Sequence, residues 1–445
     1  MAASSAFDLL ITGGIVACCD EKGTAHAKGA VGIKDGRIAW VGDAEKLPAD
    51  AAAAATVDAA GKLLAPGLVN AHCHLADSLF RGLVEDLELE DWLQVLWRAE
   101  GTILNEETNL LGARLGLAEL ALSGVTTVLD MFWFPETAAQ ATKKIGLRMM
   151  TGGFAFDLDG ADGMPAADRL KHAEAFIERY KDDELVTPNA MVHGAYTSGT
   201  ASMKAMHELA QAHGCNFHIH AAETRKENET VLAQHGARVV PLLEKLGMLG
   251  PDTLLAHAIH LDDADLKMVA DSGTAVVHNP VSNLKLGSGF ARVPEMLARG
   301  IPVGLGTDGA VSGNDIDMWL ALRLAATMHR AVANKAGALS SKEALRMATL
   351  GSAQAMGMAA EIGSIETGKR ADLMLLDLER PHAVPLFDPH SHLVYSACKG
   401  DVEDVWVGGR PVVAKGQLVN DDLGEILEQT RRLQPQVLAS INGGD

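Results

Sequence analysis

The sequence lacks any apolar run that approaches the roughly 20 residues needed to cross a bilayer. Its first residues contain no basic region ahead of the first apolar stretch, so they do not resemble a signal peptide. Cysteine is scarce: the five residues are odd in number and show no CxxC spacing, which argues against a disulfide framework and fits a reducing compartment. These absences predict a cytoplasmic protein with no membrane partner.

Positive charge is also in short supply. Lysine and arginine total 38 against 58 aspartates and glutamates, giving a formal net charge of −20. Nucleic-acid-binding proteins carry basic stripes, and none is visible here, so we predict no nucleic-acid partner. The hydrophobic content of 48% and charged content of 22% are typical of a globular enzyme rather than a disordered chain.

The two ends of the chain are rich in short strand patterns and turns. Near the start, "KDGR" places Asp-Gly between two alternating apolar runs, which predicts a β-hairpin. Similar segments return late in the chain as "KRADLMLLDL" and "DVEDVWVGGRPVVAKGQL". Because chain ends often lie close together, we predict one small sheet domain from residues 1–65 and 367–421, followed by a helix at 422–445.

Between these ends, residues 66–366 alternate short apolar runs with helical stretches, the pattern of successive βα units and a parallel sheet. Eight such runs are the number in a TIM barrel, and no Gly-rich fingerprint after the first run supports a doubly wound sheet instead. The runs are "LLAPGLVNAHCH", "GVTTVLDMF", "GLRMMTGGF", "VTPNAMVHG", "CNFHIHAAE", "TLLAHAIH", "GTAVVHNP" and "IPVGLGTDG".

In six of these eight runs, a histidine or an aspartate close to the end of the run is a candidate site residue. Active sites of TIM barrels lie at the C-terminal ends of the strands, so these side chains are expected around one mouth. A single histidine at a strand end is usually a buried or rim residue. Six at the same relative position are difficult to attribute to chance. They are His72 and His74, His193, His218 and His220, His257, His278, and Asp308.

The first of these runs carries two histidines one residue apart. On a strand, His72 and His74 point to the same side, so they form either two exposed imidazoles or a metal clamp. The apolar residues before them favour the clamp. His220 offers a third ligand and Asp308 a carboxylate, whereas His218 is assigned to deeper structure.

Three histidines and an aspartate suit Zn²⁺ or a similar borderline cation, which activates water at neutral pH. Glu223 follows His220 closely and is available as a general base that moves protons. His257 is placed to donate a hydrogen bond to the water and to stabilise developing negative charge. A two-metal site needs a bridging ligand, commonly a modified lysine; the fourth run offers His193 and no lysine, so we predict one metal.

These residues resemble the amidohydrolase superfamily, through HxH after "PGLVNAH", the His220–Glu223 spacing, His257, and Asp308 in "GTDGA". Longer segments resemble its aminohydrolase branch, especially the 5′-methylthioadenosine/S-adenosylhomocysteine deaminases. These segments are "SLFRGLVEDLELEDWLQVLWRAEG", "SNLKLGSGFARV", "GTDGAVSGNDIDM" and "IGSIETGKRADLMLLDL".

The resemblance implies a (β/α)₈ barrel with a small β-sandwich domain built from both chain ends. It implies one divalent metal ion on the four ligands above, zinc with iron or manganese as alternatives. Glu223 is then the proton shuttle, with His257 near the water and Asp308 also taking part in catalysis. The resemblance also implies a small-molecule substrate and a homo-oligomer.

The resemblance further suggests contacts to the substrate. Glu100 matches a glutamate that holds ribose hydroxyls, and His193 matches a histidine that faces the substrate. Glu223 itself also contacts the substrate through its proton-shuttle role. The remaining expected contacts are Arg148, Trp97 and His278.

Two segments are expected to shape the pocket. The "DMFWFPE" segment places Phe132, Trp133 and Phe134 after the second run, as a wall for a heterocycle in a chain with only 4% aromatics. The segment "SNLKLGSG" lacks the spacing of a phosphate-binding P-loop, so we interpret it as a loop that shapes the pocket.

Departures from the family pattern concern the substrate more than the metal chemistry. Around His193, "MVHGAYTS" lacks both prolines of the family's GPHSPYT or GPHAPYT, Arg98 replaces a proline, and Gly313 replaces an asparagine. We therefore predict a metal-dependent deaminase of an adenosine derivative: S-adenosylhomocysteine, 5′-methylthioadenosine or adenosine. The alternative is the same chemistry on guanine, 8-oxoguanine, a pterin or an s-triazine. The presence of Glu223 disfavours a non-catalytic binding barrel.

Overall fold

The computed structural model describes residues 6–49 and 51–442. Residues 1–5 and 50 of the predicted sheet domain and 443–445 of the predicted C-terminal helix lie outside these ranges. The chain divides into two compact units, one of residues 1–69, 120–127 and 317–421 and the other of 70–119, 128–316 and 422–445. These boundaries differ from those of the predicted domains. The division into 1–65 with 367–421, 66–366 and 422–445 stays a prediction.

The strands lie throughout the described chain. In chain order they are β1 (Phe7–Thr12), β2 (Ile15–Ala17), β3 (Ala25–His26), β4 (Gly29–Lys34), β5 (Arg37–Asp43), β6 (Ala53–Asp58), β7 (Lys62–Pro66), β8 (Leu68–His74), β9 (Val125–Asp130), β10 (Arg148–Thr151), β11 (Phe154–Ala155), β12 (Val186–Pro188), β13 (Ala190–Gly194), β14 (Phe217–Ala221), β15 (Thr253–His257), β16 (Ala275–His278), β17 (Val303–Leu305), β18 (Asp308–Gly309), β19 (Leu373–Asp377), β20 (Val402–Val407), β21 (Arg410–Ala414) and β22 (Gln417–Leu418).

The α-helices alternate with the strands through the middle of the chain. They are α1 (Leu89–Ile103), α2 (Glu106–Leu122), α3 (Pro135–Ile145), α4 (Ala166–Tyr180), α5 (Thr200–His213), α6 (Arg225–His235), α7 (Val239–Lys245), α8 (Asp263–Ser272), α9 (Pro280–Lys285), α10 (Val293–Ala298), α11 (Ala310–Gly313), α12 (Met318–Val332), α13 (Ser341–Met347), α14 (Leu350–Ala355), α15 (Pro389–Tyr395) and α16 (Leu423–Asn442).

The central strands pair in chain order. One sheet has the order β12-β10-β9-β8-β18 and another the order β11-β13-β14-β15-β16-β17, and the registers from β13 to β17 and between β18 and β8 are parallel. Only Gly152 and Gly153 separate β10 from β11, and only Gly306 and Thr307 separate β17 from β18. Starting at β8, the strand pairings continue through β9 and β10 into the second sheet, from β11 to β17. They return through β18, which pairs with β8. The α/β part of the prediction, with parallel sheets, is confirmed.

Local capping explains where the intervening helices begin and end. At α8, the Asp262 side chain accepts from the backbone N–H of Asp265, and the Asp265 side chain accepts from that of Asp262. This reciprocal capping box satisfies backbone donors that the first turn leaves without partners. Gly273, with φ of 76°, ends the helix in the left-handed conformation that glycine adopts without strain. The predicted helical segment "DADLKMVADSG" is bounded in this way.

The strands from the two chain ends form two further sheets, with orders β5-β4-β1-β6 and β22-β21-β20-β19-β7-β2-β3. Buried residues of both sheets, including Ile11 and Ile33 of the first and Leu64 and Leu373 of the second, belong to one hydrophobic cluster. The predicted hairpin lies between β4 and β5, where Asp35-Gly36 connects antiparallel strands. Among the described helices, none has both the length and the apolar composition that a membrane crossing requires.

Candidate metal centre and active site

The two histidines of β8 face the same carboxylate. His74 Nε2 lies 3.1 Å from Asp308 Oδ1, and His72 Nε2 lies 3.4 Å from the same oxygen. The two imidazole ring centroids are 4.9 Å apart. The alternation of a strand places both rings on one side, and the pairing of β18 with β8 places Asp308 beside them.

His220 enters the same cluster from the end of β14. Its Nε2 atom lies 3.2 Å from His72 Nε2. His72, His74 and His220 each offer one possible ligand atom, and these three atoms lie within 4.8 Å of one another. The same holds for one ligand atom from each of His72, His257 and Asp308. The structure thus brings together all four residues predicted as metal ligands.

Each of the three histidines is held through its other ring nitrogen. His74 Nδ1 is 2.5 Å from the carbonyl oxygen of Met131, and His220 Nδ1 is 2.6 Å from that of His193, so both rings donate to backbone. His72 Nδ1 instead lies 3.0 Å from Nε2 of His218. Partners of this kind fix the orientation of metal-binding imidazoles, leaving the Nε2 atoms directed at the centre.

The electrostatics of this cluster favour a bound cation. Burial lowers the pKa of His72 to about 4 and that of His220 well below its usual range, so both rings are neutral and have a lone pair to donate. Burial opposes the charge of His74, but the hydrogen bond and the charge of Asp308, together with Asp77 and the Met131 carbonyl, outweigh it and raise the pKa of His74 to about 10. Burial raises the pKa of Asp308, whereas the hydrogen bonds to His72 and His74 lower it. The resulting pKa lies well below the usual range of an aspartate. In this pair the His74 proton supplies the positive charge that a metal ion would replace.

Two further groups lie beside the cluster. Glu223 Oε2 is 3.6 Å from His257 Nε2, and the Ser288 hydroxyl donates to Glu223 Oε1 at 3.4 Å. Burial raises the pKa of Glu223, which favours the protonated form that a proton shuttle must reach. His257 Nδ1 lies 2.9 Å from Asn283 Oδ1, which orients the ring.

Backbone strain collects at these strand ends. Of the eleven non-glycine residues with positive φ among those described, four lie here: Ala222 (52°), His257 (71°), Ala258 (47°) and Asp308 (63°). Such conformations cost about 1–3 kcal/mol each and persist where the surrounding structure enforces them, often at functional sites. Here they fall at or directly beside the residues that face the cluster.

A cavity opens onto the cluster. His74, His220, His257 and Asp308 line it together with Glu223. The cluster is therefore accessible to a small ligand.

Three of the expected substrate contacts also line this cavity: Trp97, Glu100 and His193. The Trp97 and His193 rings meet edge to face with centroids 5.8 Å apart, and burial lowers the pKa of His193 to about 3. The Glu100 carboxylate accepts from Trp133 Nε1 at 2.9 Å. Burial raises the pKa of Glu100 to about 7.

The region around this site also identifies the chain. Residues 63–412 match the family model described as "Amidohydrolase family". The chain belongs to the amidohydrolase family. The resemblance predicted from the motifs is thereby confirmed.

Relatives of this amidohydrolase cover nearly its whole length. A 5-methylthioadenosine/S-adenosylhomocysteine deaminase of Syntrophobacter fumaroxidans is 40% identical over 96% of this chain and 98% of its own. A 5′-deoxyadenosine deaminase of Methanosarcina mazei is 34% identical over 98% of this chain and 99% of its own. The crystal structure of an adenosine deaminase from Xanthomonas campestris with bound zinc has a TM-score of 0.95 and 33% identity, covering 97% and 99% of the two chains.

Two expected contacts of this amidohydrolase lie elsewhere. The Arg148 guanidinium, at the start of β10, donates to the carbonyl oxygen of Glu184 at 3.0 Å and does not line the cavity. His278 is buried at the end of β16 and is also absent from the cavity lining. A substrate contact stays a prediction for both residues; Arg148 lies at the start of its strand and His278 is buried.

The aromatic and loop segments correspond only in part to the expectation. Phe132 and Trp133 line the cavity, whereas Phe134 does not: it begins α3 with a left-handed backbone. Part of the expected loop "SNLKLGSG" is helical, since α9 covers its first four residues. This segment still supplies Asn283 and Ser288, which contact His257 and Glu223.

Among the charged residues that line the cavity, sequence reasoning missed Asp77. Asp77 lies in the short 3₁₀ helix Leu75–Phe80 after β8 and lines the cavity near Glu100. The available signal was an aspartate in the otherwise apolar segment "LADSLF", directly after the HxH motif. Burial by itself is costly for such a side chain and calls for an explanation.

Proposed function

We propose that this amidohydrolase hydrolytically deaminates an adenosine derivative and releases ammonia. In this reaction water replaces the exocyclic amine: a C–O bond forms at the ring carbon, and the C–N bond breaks. The observation that carries the proposal is the convergence of a metal-type donor cluster, Glu223 and Glu100 on one cavity. The deaminases of adenosine derivatives among the relatives support the same activity.

We propose that His72, His74, His220 and Asp308 hold one divalent metal ion, zinc in preference to iron or manganese. The fit rests on three convergent imidazoles and a carboxylate, with two of the imidazoles kept neutral by burial. When bound, such an ion acts as a Lewis acid that activates water. The bound zinc of the Xanthomonas campestris structure supports this choice of metal.

Glu223 would move the protons. Its carboxylate accepts a proton from the attacking water and passes it to the ring nitrogen beside the reacting carbon. Its burial raises the pKa, so the protonated state is reached without large cost. The Ser288 hydroxyl keeps one carboxylate oxygen in place, while the other faces His257.

His257 and Asp308 would act on the charges that develop. His257 Nε2 faces the cavity, where it donates a hydrogen bond to the oxygen that gains negative charge. Its Nδ1 contact with Asn283 fixes that orientation. Asp308 would assist proton delivery to the departing ammonia, in addition to its role as a ligand.

The other side of the cavity would bind the rest of the substrate. Glu100 would accept hydrogen bonds from ribose hydroxyls, and His193 and Trp97 would contact the nucleoside. The faces of Phe132 and Trp133 offer a wall for a purine ring.

The proposal also includes the barrel and sandwich architecture, the domain boundaries, the oligomeric state and the cellular location. The ring of parallel pairings supports a (β/α)₈ barrel, and the cluster common to the two terminal sheets supports a β-sandwich. The domain boundaries at 65/66 and 366/367, a homo-oligomeric state and a cytoplasmic location remain predictions.

The decisive experiment is an ammonia-release screen with metal-replete protein. Adenosine, 5′-deoxyadenosine, 5′-methylthioadenosine and S-adenosylhomocysteine form one arm; adenine, guanine, 8-oxoguanine, a pterin and an aminated s-triazine form the other. We expect ammonia from the nucleosides in preference to the free bases. Ammonia from the second arm alone would contradict the proposal, and Glu223→Gln protein serves as the inactive control.

A further inference from the structure

The cavity contains a buried carboxyl group that the proposed chemistry does not use. Asp77 is only 2% exposed, and its Oδ1 atom has no hydrogen-bond partner among the described residues. Buried polar atoms in proteins are nearly always hydrogen-bonded, so an exception requires an explanation. Because Asp77 lines the cavity, a ligand in that cavity is the available partner.

Asp77 does not stand alone. Glu100, from α1, lines the same cavity and is 3% exposed. Burial first, and the neighbouring Glu100 carboxyl second, raise the pKa of Asp77 well above its ordinary value. Two carboxyl groups that share a buried site resist simultaneous ionisation, so the pair holds a proton between them or takes donors from a ligand.

The surroundings make room for this side chain and do not neutralise it. A Cβ atom added to Gly309 would lie 2.3 Å from Asp77 Oδ2, so only glycine permits the carboxyl group to approach there. Among the described residues that line the cavity, there is no lysine or arginine, whereas Asp77, Glu100, Glu223 and Asp308 are all acidic. Such a cavity offers no basic side chain to a phosphate group and presents acceptors to molecules rich in hydrogen-bond donors.

The number of acceptor atoms indicates what those donors are. One Glu100 oxygen, Oε2, already accepts from Trp133 Nε1, and the Glu100 and Asp77 carboxyl groups form a hydrogen bond with each other. Asp77 contributes Oδ1, which has no partner. A vicinal diol can take the place of the proton that the two carboxyl groups share, because it donates one hydroxyl to each of them from adjacent carbon atoms.

We propose that Asp77 is a specificity-determining residue that binds the substrate's sugar together with Glu100, each carboxyl group accepting one hydroxyl of a vicinal diol. The substrate class is therefore an uncharged nucleoside with both ribose hydroxyls present. This inference rests on the proposed deaminase function, and it adds a second sugar-binding residue to it.

The test compares adenosine with 2′-deoxyadenosine and 3′-deoxyadenosine in the metal-replete wild-type enzyme and in Asp77→Leu and Asp77→Asn variants. A hydrogen bond to a charged group corresponds to about a 10- to 100-fold effect. In wild type we expect kcat/KM to fall by that factor when either hydroxyl is missing. In Asp77→Leu we expect kcat/KM for adenosine to fall about 10- to 100-fold, while kcat/KM for one of the two deoxynucleosides changes little. The enzyme's preference for a substrate with that hydroxyl would then disappear.

Asp77→Asn keeps the shape of the side chain and an acceptor oxygen, so we expect an intermediate preference. Asp91→Leu, at an exposed aspartate of α1 outside the cavity, is the matched control and should keep the wild-type preference. Metal content is measured for every variant, so that loss of metal is not mistaken for loss of sugar binding. An equal loss for all three nucleosides, or no loss in either variant, would overturn the inference.

A binding measurement separates this inference from the proposed function. Calorimetric titration of metal-replete Glu223→Gln protein, with and without Asp77→Leu, measures affinity for the same three nucleosides without turnover. If wild type deaminates no nucleoside but binding still depends on both hydroxyls and on Asp77, the proposed function fails and the inference holds. If adenosine binds no better than the deoxynucleosides, the inference fails whatever the activity.

Discussion

The Nε2 atoms of His72 and His220 lie 3.2 Å apart, although 148 positions separate the two residues in the chain. Both rings are neutral because burial lowers their pKa values, and both use Nδ1 for other contacts. In the tautomers that leave both Nε2 atoms unprotonated, their lone pairs are directed at each other and a cation between them would bind both. The arrangement is therefore that of ligands gathered for a cation.

His220→Ala should abolish stable metal binding and turnover together, because it removes one of four proposed ligands. The measurement is metal content by elemental analysis after dialysis, alongside ammonia release. His213→Ala, which replaces the half-buried histidine at the end of α5, should keep both. A His220→Ala protein with one equivalent of tightly bound metal would contradict the ligand assignment.

His218→Leu should weaken metal binding without removing a ligand. The His218 Nε2 contact at 3.0 Å fixes the ring of His72, and loss of such an orienting partner typically costs about 10- to 100-fold in metal affinity. Competition with a chelator of known affinity measures the change. Unchanged affinity in a folded variant would show that the packing of β8 alone orients His72.

The sequence was most informative where one backbone rule decides the outcome. Strand alternation placed His72 and His74 on one side, and the shared end of parallel strands brought His220 and Asp308 to them. Local rules of this kind need only the order of residues along a strand.

Other features depend on tertiary contacts that no local rule specifies. Arg148 belongs to the correct run but lies at its start, so its side chain reaches Glu184 rather than the cavity. Asp77 enters the cavity because a 3₁₀ helix follows β8 and because Gly309 leaves space. Neither circumstance is visible in a pattern of apolar and polar residues.

Glu223→Gln should remove most turnover while leaving the metal in place. The amide cannot accept and return a proton, and the loss of a general acid–base group typically lowers kcat by about 10²- to 10⁴-fold. The paired readouts are kcat and metal content. Glu229→Gln, at an exposed glutamate on α6, is the control. A metal-replete Glu223→Gln enzyme with wild-type kcat would refute the shuttle role.

Away from the site, His329 on α12 should make stability depend on pH. The residue is 2% exposed, and burial lowers its pKa from 6.5 to about 4. Between these two values the unfolded chain binds more protons at this position than the folded chain does, so stability rises with pH. The contribution is fully present above the unfolded pKa and is lost as the pH falls toward about 4.

The difference of 2.5 pKa units between 6.5 and about 4 corresponds to about 3 kcal/mol at most. His329→Gln should therefore lose less stability than wild type when the pH is lowered from 7.5 to 4.5, even if it is less stable at pH 7.5. Urea unfolding midpoints at both pH values measure this, with His213→Gln as the control for loss of a histidine that is not fully buried. Equal pH dependence in His329→Gln and wild type would show that His329 has the same pKa in the folded and unfolded states, because only a difference between those two pKa values creates this linkage.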